Sequence, residues 1–253
     1  FESYSKGIVI LNHTGAGAMS LALEFEVAEG ANITVVSIVD TELTAVTAGQ
    51  HAFSLAKDST LNHVVITLGG DLVRLATTVR FTGSGANAVL TGGYFTDAGQ
   101  HHEHRLFVDH AVDHCTSDVM YKGALQGDGA HSVWVGDVLI RGNALGTSTY
   151  ELNRNLLLTE GARADSVPNL EIETGNIQGA GHAAATGRFD DEQIFYLMSR
   201  GVPEVQAKRL VVRGFLADVI SRIPDEDIRA RMIAGVERRL GNSDPRFDGM
   251  FNE

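Results

Sequence analysis

The sequence predicts a mainly β body followed by a small C-terminal α-helical domain, and three observations predict it. Before residue 190, short runs alternate apolar and polar residues: Leu21, Leu23, Phe25 and Val27 share one parity, as do Val73, Leu75, Thr77, Val79 and Phe81. Period two is the mark of a half-buried strand. Glycine is crowded into the same stretch, with 23 of the 28 residues, whereas only Pro168 of the four prolines lies there. From Asp190 onward the apolar spacing lengthens to three and four residues, the spacing of a helix face.

Apart from the two alternating runs, strands are expected near Asn32 to Val39, Asn62 to Leu68, Ala86 to Leu90, His102 to His110, Cys115 to Tyr121, Ser132 to Val135, Thr149 to Leu158 and Leu170 to Glu173. Gly69-Gly70, Gly83-Ser84-Gly85 and Gly92-Gly93 fit tight reversals or coil corners. Spacing alone leaves sandwich, barrel and β-helix open, and no internal repeat is crisp enough to choose. In the helical part, Asp190 is an N-cap with Gln193 three residues on, and Ile194, Phe195, Leu197 and Met198 form an apolar face ended by Gly201. Pro203 opens a second helix carrying Val205, Val212, Leu216, Val219, Ile220 and Ile223, which Pro224 stops. Asp225 caps a third, in which Ile228, Met232, Val236 and Leu240 stand four apart. The expected divisions are residues 1–188, 189–241 and a flexible tail, 242–253.

Composition excludes several classes. With 32 Asp+Glu against 20 Lys+Arg in 253 residues, the net charge of −12 opposes a phosphate-binding surface, so no nucleic-acid partner is expected. No apolar run suits a bilayer span or a secretory signal, so no membrane partner is expected. The single cysteine, Cys115, suits a reducing compartment, and the cytoplasm is the expected location. The sequence opens at Phe1 and runs at once into Ile8 to Leu11, which reads as a piece of a longer protein. Charge is uneven: residues 200–240 hold nine Lys/Arg and six Asp/Glu, against eleven and twenty-six elsewhere. A solvated helix face explains such a run readily; a protein-docking surface is the functional reading.

The densest set of metal-ligand types is His101-His102-Glu103-His104, followed by His110, His114 and Cys115. On a strand, His102, His104 and His110 share a face, with His102 and His104 about 7 Å apart, so a neighbouring strand could complete a metal site. Histidines on a strand need no metal, however. His114 could activate the Cys115 thiol, but adjacent strand residues point to opposite faces, which favours an inert buried cysteine. His182 stands among Gly179, Ala180, Gly181, Ala183, Ala184 and Ala185, small residues that permit close approach; a turn histidine without a task is the plain alternative. A phosphate loop, a nucleophile elbow and His-Glu-x-x-His are all missing, so the chain is not expected to hydrolyse nucleotide. A His-ligated metalloenzyme on an all-β body is one alternative. A polysaccharide-cleaving β-helix ranks last, because only 7% of residues are aromatic and Trp134 is the one tryptophan.

Several segments carry a resemblance: Asn153-Arg154-Asn155-Leu156-Leu157-Leu158, Pro168-Asn169-Leu170-Glu171-Ile172, His182-Ala183-Ala184-Ala185-Thr186-Gly187, Asp190 through Gly201, and His114-Cys115-Thr116-Ser117-Asp118-Val119-Met120-Tyr121-Lys122-Gly123. In order and spacing they resemble the SufB/SufD family of iron–sulfur cluster assembly scaffolds. Ser199-Arg200-Gly201 and a lone histidine among small residues resemble the SufD branch; the SufB branch would carry a conspicuous cysteine and Glu-His-Glu. The resemblance implies a right-handed parallel β-helix, then a helical domain, with a separate N-terminal helical domain missing from this chain. It implies a non-catalytic scaffold that pairs with SufB through the β-helix, where His182 faces a nascent Fe–S cluster or iron shared transiently between the two, with no tightly bound cofactor on the isolated chain. One cysteine cannot supply the usual four ligands of a cluster. Many relatives have a cysteine just before this histidine, where this chain has Gly179, Ala180 and Gly181. The resemblance also makes the helical end the dock for the SufC ATPase, with Arg200, Lys208, Arg209, Arg213 and Phe215 as candidate contacts. A homodimer is a further expectation for the chain in isolation.

Overall fold

The computed structural model describes residues 1–188 and 190–242. Thirteen strands alternate between two parallel sheets. The odd sheet has the order β1(Lys6–His13), β3(Asn32–Val39), β5(Thr60–Thr67), β7(Asn87–Thr96), β9(Thr116–Leu125), β11(Ser148–Leu157) and β13(Gly179–Arg188). The even sheet runs β2(Ala18–Val27), β4(Val46–Leu55), β6(Leu72–Phe81), β8(His101–His110), β10(His131–Ile140) and β12(Arg163–Ile172). The chain therefore winds as a parallel β-solenoid of about six turns, 52% of it strand, which resolves the three architectures that spacing left open. The repeat escapes notice in the sequence because partners on successive turns lie 26 to 32 residues apart: Lys6 faces Asn32, whereas Thr116 faces Ser148. The strand ladder is regular; the turns are not.

Between the sheets lies an apolar core that includes Ile33, Phe53, Leu55, Leu61, Phe81, Leu90, Tyr94, Tyr121 and Trp134. Gly69-Gly70 and Gly83 to Gly85 do sit in reversals, but Gly92 and Gly93 lie within β7. The reason is packing. A Cβ on Gly92 would overlap the Tyr121 ring, one on the register partner of Tyr94, Gly123, would overlap the Tyr94 ring, and one on Gly93 would meet Met232 and Val219. Each glycine thus leaves the space that a neighbour fills. Strand β4 was not anticipated because Ala48, Gly49 and Gln50 dilute its pattern; Gly49 stands between Leu21 and Leu75 of the adjoining strands and accommodates both.

Three helices follow, α1(Asp191–Ser199), α2(Glu204–Arg222) and α3(Glu226–Asn242). The Asp190 carboxylate accepts from the Glu192 backbone N–H, and that of Asp225 from Ile228, satisfying first-turn donors as expected. Gly201 adopts φ +86° beyond α1, a conformation that suits glycine at a helix end. Helices α2 and α3 cover the outer face of the odd sheet, where Val212, Leu216, Val219, Ile228, Met232 and Val236 are buried with Val36, Ile38, Ile66, Leu68, Phe95 and Leu156. The tail expected to be flexible lies, from residue 243 on, outside the described residues.

Lys122 fastens this layer. Its buried ammonium on β9 donates to the Phe215 carbonyl at 2.9 Å and to Asp218 at 2.6 Å, and stands 5.2 Å from the Phe215 ring centroid. Lys122→Met keeps the volume but leaves that carbonyl without its donor. A loss of about 1–3 kcal/mol is expected, with faster amide exchange in α2 than in β3. Equal exchange in both would show that α2 is held without Lys122.

Candidate functional site at the open end of the solenoid

Among the described residues, strands β12 and β13 are the last members of their sheets, so each presents one edge without a partner strand. His182 lies on β13, opposite Glu151 of β11, on the strand face that continues the solenoid interior. The small residues around it form a strand and not a turn. Gly and Ala have poor strand propensity, but β11 supplies a complete parallel template from Ser148↔Gly179 to Leu157↔Arg188. His182 is exposed and lines, with Asp137, Pro168, Leu170 and Glu171, a cleft of about 510 Å³. Pro168 sits mid-strand, a position that an edge strand tolerates.

Beneath this end Tyr94 donates to Asn155 at 2.6 Å, Asn155 donates to Ser166 at 3.1 Å, and Ser166 donates to Asn153 at 2.5 Å, so the last turns enclose a connected polar layer. Glu151 is buried beneath His182, its Oε1 without a hydrogen-bond partner, and burial, reinforced by the charge of Asp137, pushes its carboxyl up to about 8. The site therefore holds an exposed imidazole above a buried, protonated carboxyl. Sequence reasoning missed Glu151, since its signal depends on the in-register neighbour.

The other candidate residues are placed elsewhere. His102, His104 and His110 do share a face of β8, but that face is the solenoid interior, where all three are buried. Thr96 partners His102 at 3.0 Å, Thr67 partners His104 at 2.9 Å, and Ser117 partners His110 at 2.9 Å. Burial holds their imidazoles neutral, lowering His102 and His110 to about 4 and His104 to about 3. His114 is exposed in a turn at φ +54°, whereas Cys115 is buried and burial raises its thiol. Among the described residues, no group of three or more His, Cys, Asp or Glu is arranged to hold a metal ion.

At the helical end Arg200 stacks over Tyr196, Lys208 pairs with Glu204 at 2.6 Å and Arg213 pairs with Glu237 at 3.4 Å. Arg209 also lies on α2. Phe215 is half-buried and packs toward the sheet beneath Lys122, whereas Phe195 and Tyr196, not singled out from the sequence as contacts, are 72% and 57% exposed.

A parallel solenoid with an open end, a lone exposed histidine on its last strand and a helical layer on one face defines a class of scaffold. The family model for the SufBD core domain of SUF system FeS cluster assembly matches residues 1–215, and the chain belongs to that family. Within it the chain is SufD-like. It is 55% identical over 245 residues to the iron–sulfur cluster assembly SufBD family protein Rv1462 of Mycobacterium tuberculosis, covering 94% of this chain and 62% of that one. It is 39% identical over 119 residues to SufD of Bacillus subtilis (47% of this chain, 27% of that one) and 28% over 186 residues to SufD of Escherichia coli (74% and 44%). The chain thus spans less than two thirds of the length of these curated relatives. No helix among the described residues is long and apolar enough to cross a membrane.

Proposed function

We propose that this chain is the SufD-type scaffold half of a SUF complex, whose open solenoid end meets SufB so that His182 faces the shared assembly site. The observation that carries this reading is the pair of unpartnered parallel edges, β12 and β13, framing an exposed histidine. A sheet edge invites continuation by another strand. The ligand count supports sharing, because the sole cysteine is buried and an iron–sulfur cluster usually needs four ligands. Iron or the nascent cluster is cargo held between subunits, and His182 contributes a nitrogen ligand or moves a proton.

The helical end docks SufC, which brings the phosphate loop this chain lacks. Phe195, Tyr196 and Arg200 offer an exposed mixed aromatic and cationic surface for it, with Lys208 half-buried on α2, while Phe215 holds α2 in place. ATP-driven approach of two SufC subunits then pulls on the helices and, through them, on the solenoid interface.

The test is anaerobic co-expression with SufB and SufC, comparing the visible Fe–S absorption of the wild-type complex with that of His182→Ala. Size-exclusion chromatography reports assembly. The expected result is an intact complex with most of the absorption lost. Undiminished absorption in an intact complex removes His182 from the assembly site.

A further inference from the structure

A second histidine cluster lies on the opposite strand parity from the buried one. His101 opens β8 and His131 opens β10, and the parallel register sets them side by side on the outer face of the even sheet. Their rings meet edge to face with centroids 4.8 Å apart, and the two Nδ1 atoms are separated by 3.1 Å. The second nitrogen of each ring faces a carboxylate: His131 Nε2 lies 2.8 Å from Asp165 Oδ2, and His101 Nε2 lies 3.7 Å from Glu103 Oε2.

Those carboxylates are themselves held. Arg163 bonds Asp165 at 2.9 Å, Arg74 stands 3.3 Å from Glu103, and Arg105 bonds Glu103 as well. A carboxylate on Nε2 keeps the proton there and turns the Nδ1 lone pair outward, which is how histidine is oriented in metal sites. The bond to Asp165 sets this orientation at His131, whereas Glu103 at 3.7 Å is too far to hydrogen-bond His101, so one proton lies between the two Nδ1 atoms, and a cation could replace it. Two imidazole nitrogens at 2.0–2.1 Å from a tetrahedral ion are about 3.3 Å apart. The observed separation needs only a small opening to accept one. The side chains are 33% and 30% exposed, which leaves the remaining coordination positions to water.

We propose that His101 and His131 form a surface site for a borderline divalent cation of the Zn²⁺ type, with Asp165 as the orienting carboxylate and Glu103 as a nearby negative charge. Neutral imidazole donors select such ions over Mg²⁺ and Ca²⁺. Binding expels the proton shared between the two Nδ1 atoms to solvent. His51 and His63 also approach to 3.2 Å, but both are buried in the core and, among the described residues, no carboxylate is bonded to either. The site is independent of His182, being built on β8, β10 and β12.

Calorimetric titration of the tag-free chain with Zn²⁺ tests this. One saturable site in the micromolar range is expected, unaffected by excess Mg²⁺. His131→Gln and His101→Gln are each expected to weaken it at least tenfold, and Asp165→Asn by about 10- to 100-fold, while His114→Gln leaves it unchanged. Circular dichroism confirms that each variant is folded, and imidazole ¹⁵N shifts of His101 and His131 report the ligating nitrogens. The proposal fails if the wild-type chain shows no saturable binding, or if folded His131→Gln and His101→Gln both bind Zn²⁺ as tightly as wild type.

Discussion

Acidification from pH 7.5 to pH 5 is expected to remove most or all of the stability of this fold. Burial holds His51, His102 and His110 neutral down to about 4 and His104 to about 3, and keeps His63 well below its ordinary value. In the unfolded chain each imidazole takes up a proton near pH 6.5. Below that pH the unfolded state binds protons that the native state refuses, so stability falls as pH falls. Each of His51, His102, His104 and His110 removes about 2 kcal/mol by pH 5, and with His63 acting in the same direction the loss rivals the whole stability of a typical domain, about 5–15 kcal/mol. Glu151 acts in the opposite sense. Its raised carboxyl pKa means that the unfolded chain releases a proton near 4.5 while the native one keeps it up to about 8. Its contribution is therefore lost as pH rises through that interval, and Glu151→Gln should flatten the alkaline side. Urea denaturation at pH 5, 6, 7 and 8 measures both limbs. A midpoint that does not move between pH 7 and pH 5 would mean that the interior histidines reach solvent.

Gly123→Ala is expected to cost about 3 kcal/mol or more, at the upper end of overpacking effects. The new methyl would enter the Tyr94 ring, and that ring has nowhere to go, since its hydroxyl donates to Asn155 and accepts from Asn153 at 3.1 Å. The resemblance motif Tyr121-Lys122-Gly123 thus has a packing cause at each position. Tyr121 fills the space over Gly92, Lys122 fastens α2, and Gly123 receives Tyr94. Tyr94→Ala should partly rescue Gly123→Ala in a double-mutant cycle followed by thermal unfolding. Strict additivity would contradict this interdigitation.

Much of the architecture was legible because one-sided burial leaves a period-two trace, as at Val73 to Phe81, and because Asp190, Gly201, Pro203, Pro224 and Asp225 punctuate the helices. Three strands were not read from the sequence: β1, whose Ile8 to Leu11 run is apolar without alternation, β4 and β13. Gly49 in β4 and the Gly and Ala run of β13 follow templates set by their neighbours, and a neighbour in a parallel solenoid lies some thirty residues away. The same distance hid the site chemistry. The parity of the His102, His104 and His110 face was readable, but whether it faces inward depends on a strand two rungs off. His101 gained a partner only when His131 arrived beside it. His182 was singled out by its small neighbours, whereas Glu151 beneath it had no local signal.

The helical layer also alters what kind of unfolding the solenoid permits. Rungs that touch only their neighbours behave as a one-dimensional stack, free to peel from either end. Here Arg231 reaches Asn12 on β1, Arg238 pairs with Asp40 just beyond β3, Gly235 rests on Leu68 after β5, Met232 covers Gly93 on β7, and Lys122 of β9 and Leu156 of β11 pack with the same pair of helices. A fraying first rung therefore disturbs the brace that also holds the sixth. What would be a zipper becomes a bundle tied along its length, and force applied to α2 or α3 is spread over the whole stack.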